Sequence, residues 1–182
     1  MFSVLRALRE DFRRKALWCY ESGSWRSIVK VCFTDGSASM VLYRLMQGSR
    51  RWGLSPLEMF FNKVNSFFCN CIIGRGAEFG PGFVLIHATG VVINGQVIGG
   101  ENVLIEHQVT IGAERRQSPR IGNNVFIGAG AKIIGQITIG DHSRVGANAV
   151  VLDDVPAYAT VAGIPARVVR RRGGTDLTEV AG

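Results

Sequence analysis

From Ile73 onward an aliphatic residue or Phe returns every six positions: at Ile73, Phe79, Leu85 and Val91, again at Ile105 and Ile111, then from Ile121 through Ile127, Ile133, Ile139 and Val145 to Val151. A period of six excludes most folds. An α-helix repeats its apolar stripe at about 3.6 and a lone strand at about 2, whereas hexapeptides stack as the rungs of a parallel β-helix with aliphatic columns inside. The fourth residue after each mark agrees. Ala77, Phe83, Thr89, Val103, Val109, Val125, Ala131, Ile137, Ser143, Ala149 and Val155 are mostly small or β-branched, as a second inward position between tight corners requires. The count slips by two residues between Val91 and Ile105, around Val97-Ile98. Residues 113–120 are polar and off the pattern, which reads as a loop thrown out of the coil, where binding residues tend to sit.

Residues 1–68 have another texture, with Gly scarce and apolar residues three and four apart. Leu5, Leu8, Phe12, Ala16 and Cys19 make an amphipathic first helix with Arg6, Arg9, Arg13 and Arg14 toward solvent. A second helix is expected over Ser37–Gln47, closed by Gly48. A third is expected from Ser55 to about Phe68, with Ser55 as cap, Pro56 in the first turn and Glu58 reaching back. Phe60, Phe61, Phe67 and Phe68 are expected to pack on the base of the coil or on partner subunits rather than on a membrane surface. The expected division is a helical region over 1–68, a β-helix over 69–169 and a basic, loose tail over 170–182 that carries Arg170-Arg171-Arg172.

Charge and cysteines narrow the chemistry. A formal charge of +7 suits an anionic partner such as a nucleotide cofactor. Nucleic acid fits poorly, because the basic residues lack interleaved aromatics on the coil. Cys19, Cys32, Cys69 and Cys71 form no CxxC pair and have no His at zinc spacing, so they read as reduced, partly buried thiols with no metal expected. With no apolar leader and no run of eighteen uncharged apolar residues, a cytoplasmic protein is expected.

Two of the three histidines occupy equivalent places: His87 is two residues after Leu85, and His107 two after Ile105. Three hexapeptides make one triangular turn, so the two imidazoles are expected at one corner, one rung apart, on the order of 4.8 Å in backbone spacing. His142, in Gly140-Asp141-His142-Ser143, reads as an exposed turn residue.

His87-Ala88-Thr89-Gly90-Val91-Val92, the run Ile127-Gly128-Ala129-Gly130-Ala131-Lys132-Ile133-Ile134-Gly135 and the ending Ala162-Gly163-Ile164-Pro165-Ala166-Arg167 resemble the serine acetyltransferase branch of the hexapeptide-repeat acyltransferases. The resemblance covers roughly Val41–Val169, including Tyr43-Arg44. It implies a left-handed parallel β-helix after an N-terminal helical region, a homotrimer or a pair of trimers with sites between subunits, and acetyl-coenzyme A as donor. It makes His87 the general base. Ala129 and Ala147 match positions along the pantetheine arm, and Lys132, Arg144, Arg167 and Arg170 are candidates for the cofactor's phosphates.

The departures are informative. The branch carries an Asp immediately before the catalytic His, where Ile86 stands here, and another fifteen residues before it, where Ile72 stands. Its Arg-His pair in the protruding loop aligns with Gln117-Ser118. Burying an unpaired zwitterion costs several kcal/mol, so free serine reads as a poor acceptor. Ile86-His87 and Glu106-His107-Gln108-Val109-Thr110-Ile111-Gly112 look closer to the colanic-acid and exopolysaccharide O-acetyltransferases, whose acceptor is a sugar hydroxyl. The expectation is therefore an acetyl-coenzyme A-dependent O-acetyltransferase acting on a saccharide. His87 would be its base, His107 a second contact to the acceptor or the developing oxyanion, and Asn94, Glu106 and Gln117 the polar lining of the acceptor pocket. A divergent serine O-acetyltransferase of cysteine biosynthesis, in which other residues, those of the N-terminal helices among the candidates, replace the missing acids, is the alternative. A non-catalytic scaffold would explain the repeat but not the paired histidines.

Overall fold

A computed structural model of the chain describes residues 3–171. Arg172 and the rest of the expected tail lie outside the described residues.

The hexapeptides close into a coil of triangular section with three faces of short parallel strands. The first face stacks Ile72–Ile73, Val92–Ile93, Thr110–Gly112, Lys132–Ile134 and Val150–Val151. The second stacks Glu78–Phe79, Ile98–Gly99, Arg120–Ile121 and Thr138–Ile139. The third stacks Val84–Leu85, Leu104–Ile105, Phe126–Ile127, Arg144–Val145 and Ala159–Gly163, closed by antiparallel Ala166–Arg171. Register puts Ile73, Ile93, Ile111, Ile133 and Val151 in one interior column and Leu85, Ile105, Ile127, Val145 and Val161 in another, all buried. Each buried aliphatic contributes roughly 1.5–3 kcal/mol, which is why the period of six is so strictly kept.

The slip in the count falls elsewhere than expected. Ile93, not Val91, is the column residue, so Leu85 to Ile93 spans eight positions and the two extra residues sit in the corner at His87-Ala88-Thr89-Gly90. Val91 is buried as the second inward residue, while Thr89 is exposed. Gly99 keeps a column position because the Phe79 ring fills its space: a Cβ there would stand 2.1 Å from Phe79 Cδ1.

Four helices precede the coil: α1 (Val4–Tyr20), α2 (Trp25–Cys32), α3 (Ser37–Arg51) and α4 (Ser55–Cys69). The short α2 was not expected from the sequence. α3 runs past Gly48, whose bare Cα admits the start of α1; a Cβ would lie 2.8 Å from Val4 Cγ2. At α4 the cap position falls on Leu54, and Glu58 turns away to Arg75 at 3.8 Å instead of closing a capping box. Phe61 packs against the core, but Phe60, Phe67 and Phe68 are exposed, since α4 turns that face away from the coil. Among the described residues no helix is long and apolar enough to cross a membrane. Arg170 and Arg171 belong to the closing strand, not to a tail.

α1 lies against the outside of the third face. There Val84, Ile86 and Leu104 form a small buried cluster with Phe126, and Trp18 stacks on Phe126 with centroids 5.1 Å apart. A buried polar knot pins this arrangement. Arg44 donates to both Asp11 carboxylate oxygens, from Nε at 2.7 Å and Nη2 at 2.9 Å, and to the Phe79 carbonyl at 2.8 Å. Asp11 Oδ1 also accepts from the Gly82 and Phe83 amides. Tyr43 donates to the Ala77 carbonyl and accepts from the Phe79 amide.

Removing one partner strands a buried charge, which costs about 3–5 kcal/mol. Asp11→Ala should therefore lower the thermal midpoint by about 10 °C, whereas Glu10→Ala on the exposed side should leave it within about 2 °C. Calorimetry on both variants checks this.

Candidate active site

Four residues that the sequence set at rung corners fall in one line. Leu85, Ile105, Ile127 and Val145 pair in register, so His87, His107, Ala129 and Ala147, each two residues further on, stack along the corner between the third and first faces. Gly163 continues the line above them. The two imidazoles lie at its foot, ring centroids 5.9 Å apart and nearly perpendicular, each about half exposed. Above them the corner carries only methyl groups. Among the described residues the Ala129 and Ala147 amide N–H groups have no partner within the chain. Glycine keeps the path bare, since a Cβ on Gly128 would stand 2.7 Å from Ala147 N. A bare ridge with open backbone amides fits an extended, amide-bearing arm such as pantetheine.

Each imidazole has a carboxylate. His87 Nδ1 stands 3.1 Å from Asp35 Oδ2, and His107 Nδ1 stands 3.7 Å from Glu106 Oε2, the second beyond hydrogen-bond reach. Asp35 is the residue that reading the sequence missed. It comes from the turn between α2 and α3, and its Oδ1 accepts from the Gly36 amide at 2.8 Å. Gly36 has φ +80 and presses onto the coil; a Cβ there would lie 2.3 Å from the Leu85 carbonyl oxygen, two residues before His87. Only glycine combines that dihedral with that approach. The same packing explains Ile86. It is buried in the cluster under α1, where a carboxylate would be stranded among aliphatics, so the acid is supplied from the turn instead.

The remaining candidates divide. Lys132 reaches down one rung and donates to the Gln108 carbonyl at 2.6 Å, beside His107. Arg167 lies next to the hairpin tip at the top of the line, 3.3 Å from Asp153, and Arg170 stands opposite Thr160 in the same hairpin. Arg144 is not held toward a phosphate: its guanidinium lies 4.3 Å from the Phe126 ring centroid, on the side covered by α1. Asn94 and Gln117 are not brought to the histidines within the chain. Asn94 sits at the next corner, where its Oδ1 accepts from Ser118 Oγ at 3.0 Å, and Gln117 closes the loop by pairing its backbone with Glu114. Both hold the loop's base. His142 is exposed and stacks on Tyr158.

Of the four cysteines, Cys71 is buried and Cys69 half-buried, whereas Cys19 and Cys32 are exposed rather than partly buried. Burial pushes Cys71 up to about 11 and Cys19 and Cys69 above their ordinary value. Among the described residues no three His, Cys, Asp or Glu side chains converge as a metal site requires.

The comparisons with known proteins agree on one group. The family described as Bacterial transferase hexapeptide (six repeats) matches residues 118–153. A serine acetyltransferase of Synechococcus elongatus is 38% identical over 149 residues, which cover 80% of this chain and 61% of that protein. The chain thus spans about three fifths of the length of that relative. A crystal structure of the serine acetyltransferase of Brucella abortus in complex with coenzyme A superposes with a TM-score of 0.81 at 33% identity, covering 93% of this chain and 68% of the other. That of Neisseria gonorrhoeae in complex with serine gives 0.80 at 31%, covering 90% and 68%. These matches give no support to the expected closeness to the colanic-acid and exopolysaccharide enzymes, and they overturn the saccharide acceptor inferred from the missing acids. That inference counted carboxylates at fixed offsets, and Asp35 arrives from another part of the chain. Sequence, coil and superposition together place this chain in the serine acetyltransferase-like family of hexapeptide-repeat acyltransferases.

Proposed function

We propose that the chain is a serine O-acetyltransferase that uses acetyl-coenzyme A as donor. The observation that carries this reading is the pairing of His87 Nδ1 with Asp35 Oδ2 at the foot of the bare alanine line. With its proton on Nδ1, facing the carboxylate, the imidazole leaves the Nε2 lone pair free to act as base.

His87 takes the proton of the serine hydroxyl as the serine oxygen bonds to the acetyl carbon. It then returns that proton to the sulfur as the C–S bond breaks, leaving O-acetylserine, a free thiol and a neutral imidazole. Asp35 stabilises the transient imidazolium, and His107, one rung above, donates to the developing negative charge on the acetyl oxygen. Asp35 and Glu106 also meet serine's ammonium, which removes the objection that the site lacks negative charge for an amino acid. Ala129 and Ala147 present their amides to the pantetheine arm, and Arg167 at the top of the line meets the cofactor's phosphates. The line is open along its length in the single chain, which supports a trimer in which a second copy closes the groove. The relatives that hold coenzyme A and serine support both substrates.

The donor path has its own test. A branched side chain at Ala147 would fill the ridge, so Ala147→Val should raise the KM for acetyl-coenzyme A by about tenfold and leave that for serine within about twofold. Equal effects on both substrates, or none, would place the donor elsewhere. Mass measurement of O-acetylserine in the wild-type reaction tests the acceptor.

A further inference from the structure

Lys15 of α1 is fully buried, an unusual place for an ammonium. Its Nζ donates to the Asp35 carbonyl oxygen and to Ser37 Oγ, the latter at 3.1 Å. Gly36 lies between this ammonium and the coil: a Cβ on it would stand 3.2 Å from Lys15 Nζ and 2.3 Å from the Leu85 carbonyl. Helix, turn and rung are therefore clamped together two residues from His87, through the very residue whose side chain meets that imidazole. Packing alone gives little reason for a charge there, since its partners are neutral oxygens and burying an ammonium is costly. The mechanism gives a reason. The Asp35 carboxylate is half exposed and would swing free if its backbone were not held.

We propose that Lys15 is a positioning residue for acetyl transfer, anchoring the turn so that Asp35 stays on His87 Nδ1. This rests on the reading of His87 and Asp35 as the working pair. The ionisable groups around the clamp are Cys19 on α1, Cys69 and Cys71 at the end of α4 and the start of the coil, Asp35 itself, and Glu106 and His107 on the next rung. Burial lowers Lys15 to about 8, opposed by Cys19 and Asp35, while the neighbouring thiols are pushed up. The ammonium is thus present at neutral pH and lost above about 8.

The test is a cycle of Lys15→Met, Asp35→Asn and the double variant in the full chain. If Lys15 acts through Asp35, Lys15→Met lowers kcat about tenfold with Asp35 present and less than about twofold with Asn there, with little change in thermal midpoint. The His87 Nδ1 nitrogen resonance, recorded without substrates at a fixed pH, carries the same cycle. It should move in Lys15→Met, as the Nδ1–H loses its held acceptor, and by much less when Asn replaces Asp35. A loss of stability with kcat and the resonance unchanged, or equal effects in both backgrounds, overturns the proposal. If Lys15→Met does not fold, Lys15→Gln carries the same cycle in its place, with the same outcomes. The resonance needs no turnover. A protein that made no O-acetylserine yet showed the coupled shift would refute the function and leave the clamp standing.

Discussion

Replacing His87 by alanine should lower kcat for acetyl transfer by at least about 10²-fold, because a placed general base contributes roughly 10²–10⁴. The fold should survive. His87 is a half-exposed corner residue outside the interior columns, and its ring touches only Asp35 and His107 among the contacts described. The KM for acetyl-coenzyme A should stay within about twofold, since the donor is read as lying along Ala129 and Ala147 above it. Thiol release under saturating substrates, with a thermal midpoint on the same preparation, checks both parts. Near-wild-type turnover in a folded protein would remove His87 from the mechanism.

Asp35→Asn should lower kcat by about 10²-fold as well, for a different reason. The amide still accepts from the Gly36 N–H and fills the same volume, so the turn keeps its shape. What is lost is the negative charge that fixes the imidazole tautomer and stabilises the imidazolium. Turnover of L-serine under saturating substrates, with a thermal midpoint on the same preparation, checks this. A folded variant with full activity would mean that the 3.1 Å contact has no part in the chemistry.

Much of this was legible in the sequence, and the reason is the same for each part that was. A solenoid makes neighbours in space out of residues at fixed offsets in the chain. Offsets of six and of one full turn therefore gave the columns and the stacked His87 and His107, whereas Ala129 and Ala147 were singled out by resemblance alone. The slip was misplaced because Val91 and Ile93 are both buried aliphatics, and only pairing with Ile111 shows which one keeps the rung. Asp35 could not be found by counting. It meets His87 across 52 positions, through a short helix, a glycine at positive φ and an approach to the Leu85 carbonyl that no local pattern encodes. Asp35-Gly36 before a helix is readable as a turn, but not as a turn facing that corner. The absence of an acid at Ile72 and Ile86 was real. Its meaning was not legible, because it depended on what α1 and the turn bring to the same place.

The central claim is that serine is acetylated here with His87 as base. The direct measurement is the rate of thiol release from acetyl-coenzyme A by the purified full chain, with and without L-serine, alongside His87→Ala. We expect L-serine to be required and kcat/KM to exceed about 10⁴ M⁻¹s⁻¹, within the ordinary range for an enzyme on its own substrate. The variant should fall at least about a hundredfold below that. Thiol release that does not depend on L-serine, or that is the same in the variant as in the wild type, would contradict it.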